Sequence, residues 1–206
     1  MIKIRFAALP FVLLLCSTIS YGQEISQHGT ATGNVVSSIG QVDFKNFTFS
    51  RQTGTEAIQF RDGKYVGADD LNYYLMRITY GDLTGDGNEE AIILLRGCIV
   101  LRGKNTSATP TLDEVFIYTL KNGRAVLLTN FEGGKRGEYI LSIGSLGSNF
   151  KVEAQLLIID QSVYKDDYEY APRHYYTIKY RWDGSRMVEA ETSALKPLPE
   201  NMQEIG

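Results

Sequence analysis

Asp-Gly or Asn-Gly dipeptides lie between short apolar segments of this chain at 62–63, 122–123 and 183–184. Such dipeptides favour the positive φ angles of tight turns, so each predicts two antiparallel strands joined by a short loop. The clearest hairpin pairs 115–120 with 124–129. No long segment has the periodicity of an amphipathic helix. The sequence therefore predicts a mainly β fold, an antiparallel meander of hairpins in a single domain, either propeller-blade-like or sandwich-like.

Two further segments predict how the strands are buried. Residues 91–95 (AIILL) are apolar at every position, which is typical of a central strand that is covered on both faces. Residues 72–80 (NYYLMRITY) alternate instead, with Tyr74, Met76, Ile78 and Tyr80 in one phase. This alternation predicts a half-buried strand in which those four side chains share one face.

One more hairpin is predicted toward the carboxyl end, before the hairpin at 183–184. Residues 139–143 and a single strand at 150–159 would flank a Gly/Ser turn at 144–149. The last hairpin would join 174–182 to 186–191 through a three-residue loop. A three-residue loop sets Tyr180 opposite Val188. A two-residue loop would shift the pairing by one residue and move every side chain to the other face, so the three-residue loop is expected.

The first residues have the features of a secretory signal. Lys3 and Arg5 precede an apolar run at 6–16 that is too short to span a bilayer, and small residues precede a cleavage position between Gly22 and Gln23. We therefore expect export to the periplasm or the exterior, with no transmembrane span in the mature chain. Lipidation at Cys16 is the alternative. The remaining chain divides into a flexible lead-in at 23–40, a β domain at 41–192 and an exposed tail at 193–206.

Charge and cysteine usage narrow the function further. The formal net charge is −3 and no Lys/Arg cluster is present, which argues against nucleic acid and against anionic membranes as partners. After cleavage Cys98 is the one remaining cysteine, so no disulfide can form within the mature chain. Cys98 follows the apolar run, which predicts a buried side chain.

Oxygen-bearing side chains are concentrated between residues 82 and 90. Their spacing places Asp82, Thr84, Asp86 and Glu90 at positions 1, 3, 5 and 9 of one loop, with Asn88 at position 7. Calcium prefers six to eight oxygen ligands on a tight loop with glycine at the bend, and Gly87 occupies that place. Without a metal, the same residue types also favour a sharp turn closed by side chain to backbone hydrogen bonds. The sequence leaves both alternatives open.

Residues 80–91 resemble the D-x-T-G-D-G-x-x-E loops of FG-GAP and VCBS-like repeats. They are also similar to a group of small exported bacterial proteins of unknown function, which carry a YTLKNG hairpin, here 118–123, and a YRWDG hairpin, here 180–184. The resemblance implies export, a β-rich fold and calcium ligation by the loop. It implies no established activity.

Catalytic patterns are sparse. His28 has no neighbouring ligand residues, and His174 shares a strand phase with Tyr176 and Ile178, which predicts a structural histidine. No nucleophile, base and orienting group can be assembled from the sequence. Tyrosines crowd the last loop and hairpin, and Tyr168, Tyr170 and Tyr175 are candidates for a partner surface. Cross-strand packing is the alternative role for these rings.

The function expected from these features is an exported, non-catalytic β protein that binds a protein or a glycan, with a calcium-stabilised loop. Two alternatives remain: a secreted hydrolase that uses acidic residues, and a purely structural module of the envelope.

Overall fold

The computed structural model describes residues 35–50, 57–67, 70–101, 107–132, 142–143, 149–163 and 174–198. The predicted signal segment, the 144–148 part of the Gly/Ser turn and the loop at 164–173 lie outside the described residues. Within them the chain forms two short 3₁₀ helices, Ile39–Gln41 and Phe44–Asn46. It also forms thirteen strands: β1 Thr48–Ser50, β2 Ala57–Gln59, β3 Lys64–Val66, β4 Leu71–Gly81, β5 Glu90–Leu101, β6 Ser107–Lys121, β7 Arg124–Glu132, β8 Ser142–Ile143, β9 Phe150–Glu153, β10 Leu156–Val163, β11 His174–Trp182, β12 Met187–Thr192 and β13 Lys196–Pro197.

All strand pairs among the described residues are antiparallel, so the predicted mainly β, antiparallel fold is confirmed. The first sheet has the order β3-β4-β5-β6-β7 and curls into a half-barrel. The second sheet has the order β12-β11-β10-β8, with β9 also paired to β10 and β13 to β11. Strands β1 and β2 form a separate pair. No helix in the described part of the chain is long and apolar enough to cross a membrane.

Strand β5 lies at the centre of the first sheet and is covered on both faces, as its composition predicts. Ile93 and Leu95 belong to one core, on the side of the short helices and of β1 and β2. Ile92 and Leu94 belong to a second core, which the second sheet covers. All four side chains are at most 2% exposed. Five consecutive apolar residues can therefore all be buried, because each face of β5 is covered by its own layer.

Aromatic rings dominate the first core. Phe44, Phe47 and Phe49 are buried and surround the ring of Tyr118, with centroid separations of 5.7, 5.2 and 6.1 Å. Tilted and edge-to-face contacts of this kind add to the stabilisation from buried area alone. The segment before β2 is thus held to the first sheet by packing.

The turns at Asp62-Gly63 and Asn122-Gly123 adopt the predicted positive φ angles. Asn122 and Gly123 have φ of 52° and 74° and connect β6 to β7, which confirms that hairpin. Asp62 and Gly63 have φ of 51° and 76°. At the Asp62-Gly63 turn only Arg61 and Lys64 pair across the turn. The strands on either side have other partners, since β2 pairs with β1 and β3 pairs with β4.

Strand β4 does not present the predicted shared face. A bulge between Leu75 and Arg77 leaves Met76 unpaired in the register, and Met76 is 46% exposed. Because a bulge inserts one residue, it changes the alternation. Leu75 before the bulge and Ile78 after it both pack on the first core. The predicted common face of Tyr74, Met76, Ile78 and Tyr80 is therefore wrong.

The predicted single strand at 150–159 is also wrong, because it is a hairpin. Ala154 and Gln155 have φ of 50° and 62° and turn β9 back onto β10, with Glu153 opposite Leu156. Neither residue is a Gly or Asn, so the usual turn signal is missing from the sequence. The strand at 142–143 pairs with β10 at Gln161 and Ser162.

The register of the last hairpin differs from the prediction. Trp182 lies opposite Met187 and Tyr180 opposite Glu189, so the loop has four residues. One carboxylate oxygen of Asp183 accepts hydrogen bonds from the backbone N–H groups of Ser185 and Arg186, both at 2.9 Å, and stabilises the longer loop. A bulge then shifts the pairing by one further residue, since Lys179 lies opposite Glu191.

The ends of the described chain pack against the sheets. The backbone N–H of Val36 donates to the carbonyl of Gly123, and Ile39 is buried in the first core. At the other end, β13 pairs with the start of β11, and Leu198 is 5% exposed. The described parts of the expected lead-in and of the expected tail are therefore in contact with the β domain.

Candidate functional site

The loop from Asp82 to Glu89 connects β4 to β5, the two strands that run side by side in the first sheet. Gly85 and Gly87 have φ of 77° and 84°, a conformation that other residues adopt only with strain. The two glycines let the backbone reverse direction within a few residues. The sequence order of glycine and carboxylate thus produces a compact turn between two long strands.

Asp82 closes the first half of this loop. Its Oδ1 accepts a hydrogen bond from the backbone N–H of Gly85 at 2.7 Å, and its Oδ2 accepts one from Gly87 at 3.1 Å. Both carboxylate oxygens are directed into the loop. The carboxylate of Asp82 therefore stabilises the turn, and the two backbone N–H groups fix the position of this carboxylate.

Asp86 and Asn88 organise the second half at the surface. The Oδ1 of Asp86 accepts from the backbone N–H of Asn88 at 2.8 Å and from its side-chain amide at 3.1 Å. The backbone bond from Asn88 is the largest cause that lowers the pKa of Asp86 below its usual value, and a side-chain bond with Thr84 acts in the same direction. Asp86 is therefore ionised and exposed.

Glu90 behaves differently from the other carboxylates because its side chain points inward and is fully buried. Its Oε2 accepts from the backbone N–H groups of Leu83 and Thr84 at 2.8 and 3.2 Å, and its Oε1 accepts from the Thr84 hydroxyl at 3.4 Å. Burial raises the pKa of Glu90, the two backbone bonds oppose the shift, and the charges of Asp86 and Asp82 add to it. Glu90 is thus the internal brace of the loop.

The loop also joins the two sheets. Leu83 is buried in the second core, where Phe150 and Leu157 belong to the same cluster. A Cβ added to Gly85 would lie 3.2 Å from the side-chain amide nitrogen of Gln155, in the turn between β9 and β10. The loop therefore forms a corner that both sheets contact.

The five predicted metal ligands are adjacent in the structure, but they do not all face one point. Asp82 and Asp86 direct oxygens to the loop, while Glu90 turns into the protein. Among the residues that the structure describes, no group of three or more His, Cys, Asp or Glu side chains is arranged to hold a metal ion. A cation at this loop would rely on two carboxylates together with the neutral oxygens of Thr84 and Asn88.

The predicted partner surface is only partly described, because Tyr168 and Tyr170 lie outside the described residues. Tyr175 is half-buried, and the ammonium group of Lys196 lies 5.8 Å from its ring centroid. Tyr176 and Tyr180 are on the opposite face of β11, where both pack with Ile178. Packing along β11 therefore accounts for Tyr176 and Tyr180, whereas Tyr175 lies on the other face opposite Lys196 of β13.

One ion pair lies between the sheets and was not singled out from the sequence. The Nε and Nη2 atoms of Arg96 donate to the two carboxylate oxygens of Asp113 at 2.8 and 2.9 Å. Both residues are at most 9% exposed. Arg96 directly follows the apolar run of β5. A charged residue at a position that the strand alternation places in the core is the sequence feature that indicates this ion pair.

Four buried side-chain atoms have no hydrogen-bond partner among the described residues. They are both amide atoms of Gln161, the Oδ1 of Asn72 and the Nδ1 of His174. Leaving one buried polar atom unpaired costs about 1–3 kcal/mol. His174 lies on the predicted face with Tyr176, and its Nδ1 has no partner within the described part of the chain.

Cys98 is a free, buried thiol, as its position in the apolar run predicts. Burial raises the pKa of this thiol, the positive charge of Arg96 lowers it, and Asp113 raises it again. A buried thiol with a raised pKa is a poor nucleophile, because the thiolate is the reactive form.

Comparison of the chain with known protein families, with curated sequences and with solved structures finds no match. The resemblance of the loop to calcium-binding repeats therefore stays a prediction.

Proposed function

We propose that this chain is an exported, non-catalytic β protein that binds a partner through the outer face of its second sheet. The observation that carries the proposal is the placement of Tyr175. Its ring lies on the face of β11 away from the core, beneath the ammonium group of Lys196. An accessible aromatic ring with a polar hydroxyl is a frequent anchor in binding sites.

The surroundings of Tyr175 suit a protein or a glycan. On the same face of β11, Lys179 forms an ion pair with Glu191 at 2.7 Å, and the two side chains are 35% and 61% exposed. A polar rim around an aromatic anchor provides hydrogen bonds at the edge of an interface while the ring provides contact area. Export follows from the expected signal at 1–22, and it would bring this face into contact with envelope or extracellular partners.

Binding of the purified chain to an array of immobilised glycans and to separated envelope proteins tests the proposal. Tyr175→Ala should reduce the signal at least tenfold, and Tyr175→Phe should keep most of it because the ring remains. Tyr80→Ala is the matched control, since Tyr80 is 37% exposed on the other sheet. If Tyr175→Ala binds as well as the unaltered chain, this face is not the partner surface.

We also propose that the Asp82–Glu90 loop takes up calcium weakly. Asp82 is already oriented by two backbone N–H groups, and the exposed Asp86 is ionised. Thr84 Oγ1 and the Asn88 carbonyl would supply neutral oxygens. Since Glu90 is engaged with Leu83 and Thr84, only two carboxylates contribute, and an affinity in the weak range of about 10⁻⁴–10⁻³ M is expected.

Thermal unfolding with calcium and with a chelator measures this binding. At ten times the dissociation constant the ion should stabilise the native chain by about 1.4 kcal/mol, which raises Tm by about 3–6 °C. Asp86→Ala should abolish the shift, and magnesium at the same concentration serves as the control for ionic strength. Equal Tm values in calcium and in chelator would reject calcium binding.

A further inference from the structure

Two aliphatic side chains lie at the centre of the outer face of the second sheet. Successive residues of a strand point to opposite sides, so Leu156 and Ile158 on β10 face away from the second core, which contains their immediate neighbours. Both side chains are half-buried, although neither belongs to a core cluster of the described residues. They form an aliphatic patch on the face that also carries Tyr175.

Two ion pairs border this aliphatic patch. Lys151 on β9 and Lys179 on β11 both lie opposite Ile158, one on each side. Lys151 is paired with Glu153 and Lys179 with Glu191, each at 2.7 Å. The pKa of Glu153 is lowered, chiefly by the hydrogen bond from Lys151 and in part by the charge of Lys179, so the charges of β9 and β11 act on one surface. The two pairs add no net charge to the face.

Two further cations on this face have no carboxylate partner among the described residues. Arg181 on β11 is exposed, and its guanidinium forms no ion pair with a described side chain. Lys196 on β13 is also exposed and lies opposite Tyr175, where its ammonium group is 5.8 Å from the ring centroid. The remaining acid of this face, Asp160, is buried and accepts a hydrogen bond from Thr177. The exposed charges of the outer face are therefore positive in excess, although the whole chain has a formal net charge of −3.

We propose that the outer face of the second sheet binds an extended, acidic segment of a protein that carries apolar side chains between two carboxylates. The proposal rests on this face being the partner surface, and it narrows the partner from a protein or a glycan to an acidic polypeptide. The carboxylates would pair with Arg181 and Lys196, and the apolar side chains would cover the aliphatic patch.

The spacing of the two cations sets the length of the segment. Lys196 lies opposite Tyr175, which is six residues before Arg181 on β11. Six residues of a strand span about 20 Å, so an extended segment of about seven residues reaches both cations. A polypeptide fits this face better than a glycan, because Leu156 and Ile158 offer no hydrogen bonds to hydroxyl groups.

Charge and apolar contact have different roles at such a surface. An exposed ion pair changes affinity by about two- to fivefold, so the aliphatic patch and Tyr175 provide most of the contact energy. The two cations select an acidic partner and accelerate its association. Salt screens exposed charges, so the preference for an acidic partner should decrease as ionic strength rises.

Fluorescence anisotropy with a library of labelled nine-residue peptides tests the proposal. Each acidic peptide has glutamate at its second and eighth positions and varied apolar residues between them, and each neutral counterpart has glutamine at both places. The tightest acidic peptides should bind about tenfold more tightly than their neutral counterparts at low salt. This difference should largely disappear at about 0.5 M salt, where the screening length is only a few ångströms.

Three charge variants locate the binding of the acidic peptides. Arg181→Gln and Lys196→Gln should each weaken it by about two- to fivefold, and the double variant should bind acidic and neutral peptides equally. Arg124→Gln is the matched control, since Arg124 is an exposed cation on the first sheet and its loss changes the net charge by the same amount. Circular dichroism confirms that each variant is folded.

Tyr175→Ala separates this proposal from the partner surface itself. If Tyr175→Ala loses binding but the charge variants keep it, the face is a partner surface and the acidic partner is rejected. If Tyr175→Ala and the charge variants all bind as the unaltered chain does, both proposals fail. Binding of polygalacturonate without binding of any acidic peptide would assign the face to a glycan and overturn the proposal, as would the absence of binding by every acidic peptide.

Discussion

Gly81 at the end of β4 lies directly against Val152 on β9, and a Cβ added to Gly81 would come within 2.5 Å of the Val152 Cβ. At this point β4 of the first sheet packs against β9 of the second sheet. The absence of a side chain at 81 therefore sets how the Asp82–Glu90 corner meets the second sheet.

Gly81→Ala should destabilise the fold by about 1–3 kcal/mol, because an added methyl group forces the strands apart. Urea unfolding followed by circular dichroism measures the loss. Val152→Ala in the same chain should restore part of the stability by removing the Cγ atoms at 2.7 and 3.1 Å. Gly40→Ala is the control, since its nearest neighbour atom would be 3.9 Å away. Equal effects of the two glycine substitutions would contradict the close approach.

Glu90 should make the free energy of unfolding fall as pH rises, which is the opposite of what most paired carboxylates do. Burial raises the pKa of Glu90 above its ordinary value of 4.5, so the native state holds the proton more tightly than the unfolded state. The contribution of this proton to stability is full below pH 4.5 and is lost as pH rises through the raised pKa. The difference in unfolding free energy between the unaltered chain and Glu90→Gln should therefore fall as pH increases from 4 to 7. A difference that grows with pH would show that the backbone bonds outweigh burial.

The pair Arg96 and Asp113 should show strong coupling. Arg96→Met leaves the buried carboxylate of Asp113 without its bidentate partner, and a loss of about 3–5 kcal/mol is expected. The double variant Arg96→Met with Asp113→Leu should be more stable than either single variant. A double-mutant cycle from denaturant unfolding provides the coupling energy. Additive effects of the two substitutions would contradict the pairing.

Ala154→Gly should stabilise the hairpin between β9 and β10. Ala154 has φ of 50°, and a left-handed conformation costs a residue with a Cβ about 1–2 kcal/mol relative to the usual region. Glycine removes that cost but gains entropy in the unfolded chain, so a net gain of about 0.5–1 kcal/mol is expected from thermal unfolding. Ala57→Gly in β2 should instead be destabilising. If both glycine variants lose stability, the turn is not strained at Ala154.

Several features could be predicted because they depend on neighbouring residues alone. The Asn122-Gly123 turn follows from the preference of those residues for positive φ, and the central position of β5 follows from five apolar residues in succession. The compact loop at 82–90 follows from its glycines and short polar side chains. Each of these properties is encoded within about ten residues.

The features that could not be predicted depend on contacts between distant residues. The bulge at Met76 and the turn at Ala154 carry no local signal, because packing between the sheets selects them over regular pairing. The register of the last hairpin was missed since the side chain of Asp183 stabilises a longer loop than its sequence suggests.

Local residue types were enough to predict the β class, the turns at Asp62-Gly63 and Asn122-Gly123, the double covering of β5 and the place of the carboxylate loop. The folded chain was needed to show that Glu90 turns inward and holds the loop while Asp86 stays at the surface, and that the Tyr176 face of β11 is the buried one. The physical reason is that local residue types fix backbone conformation, whereas burial and unpaired polar atoms arise only when the two sheets meet.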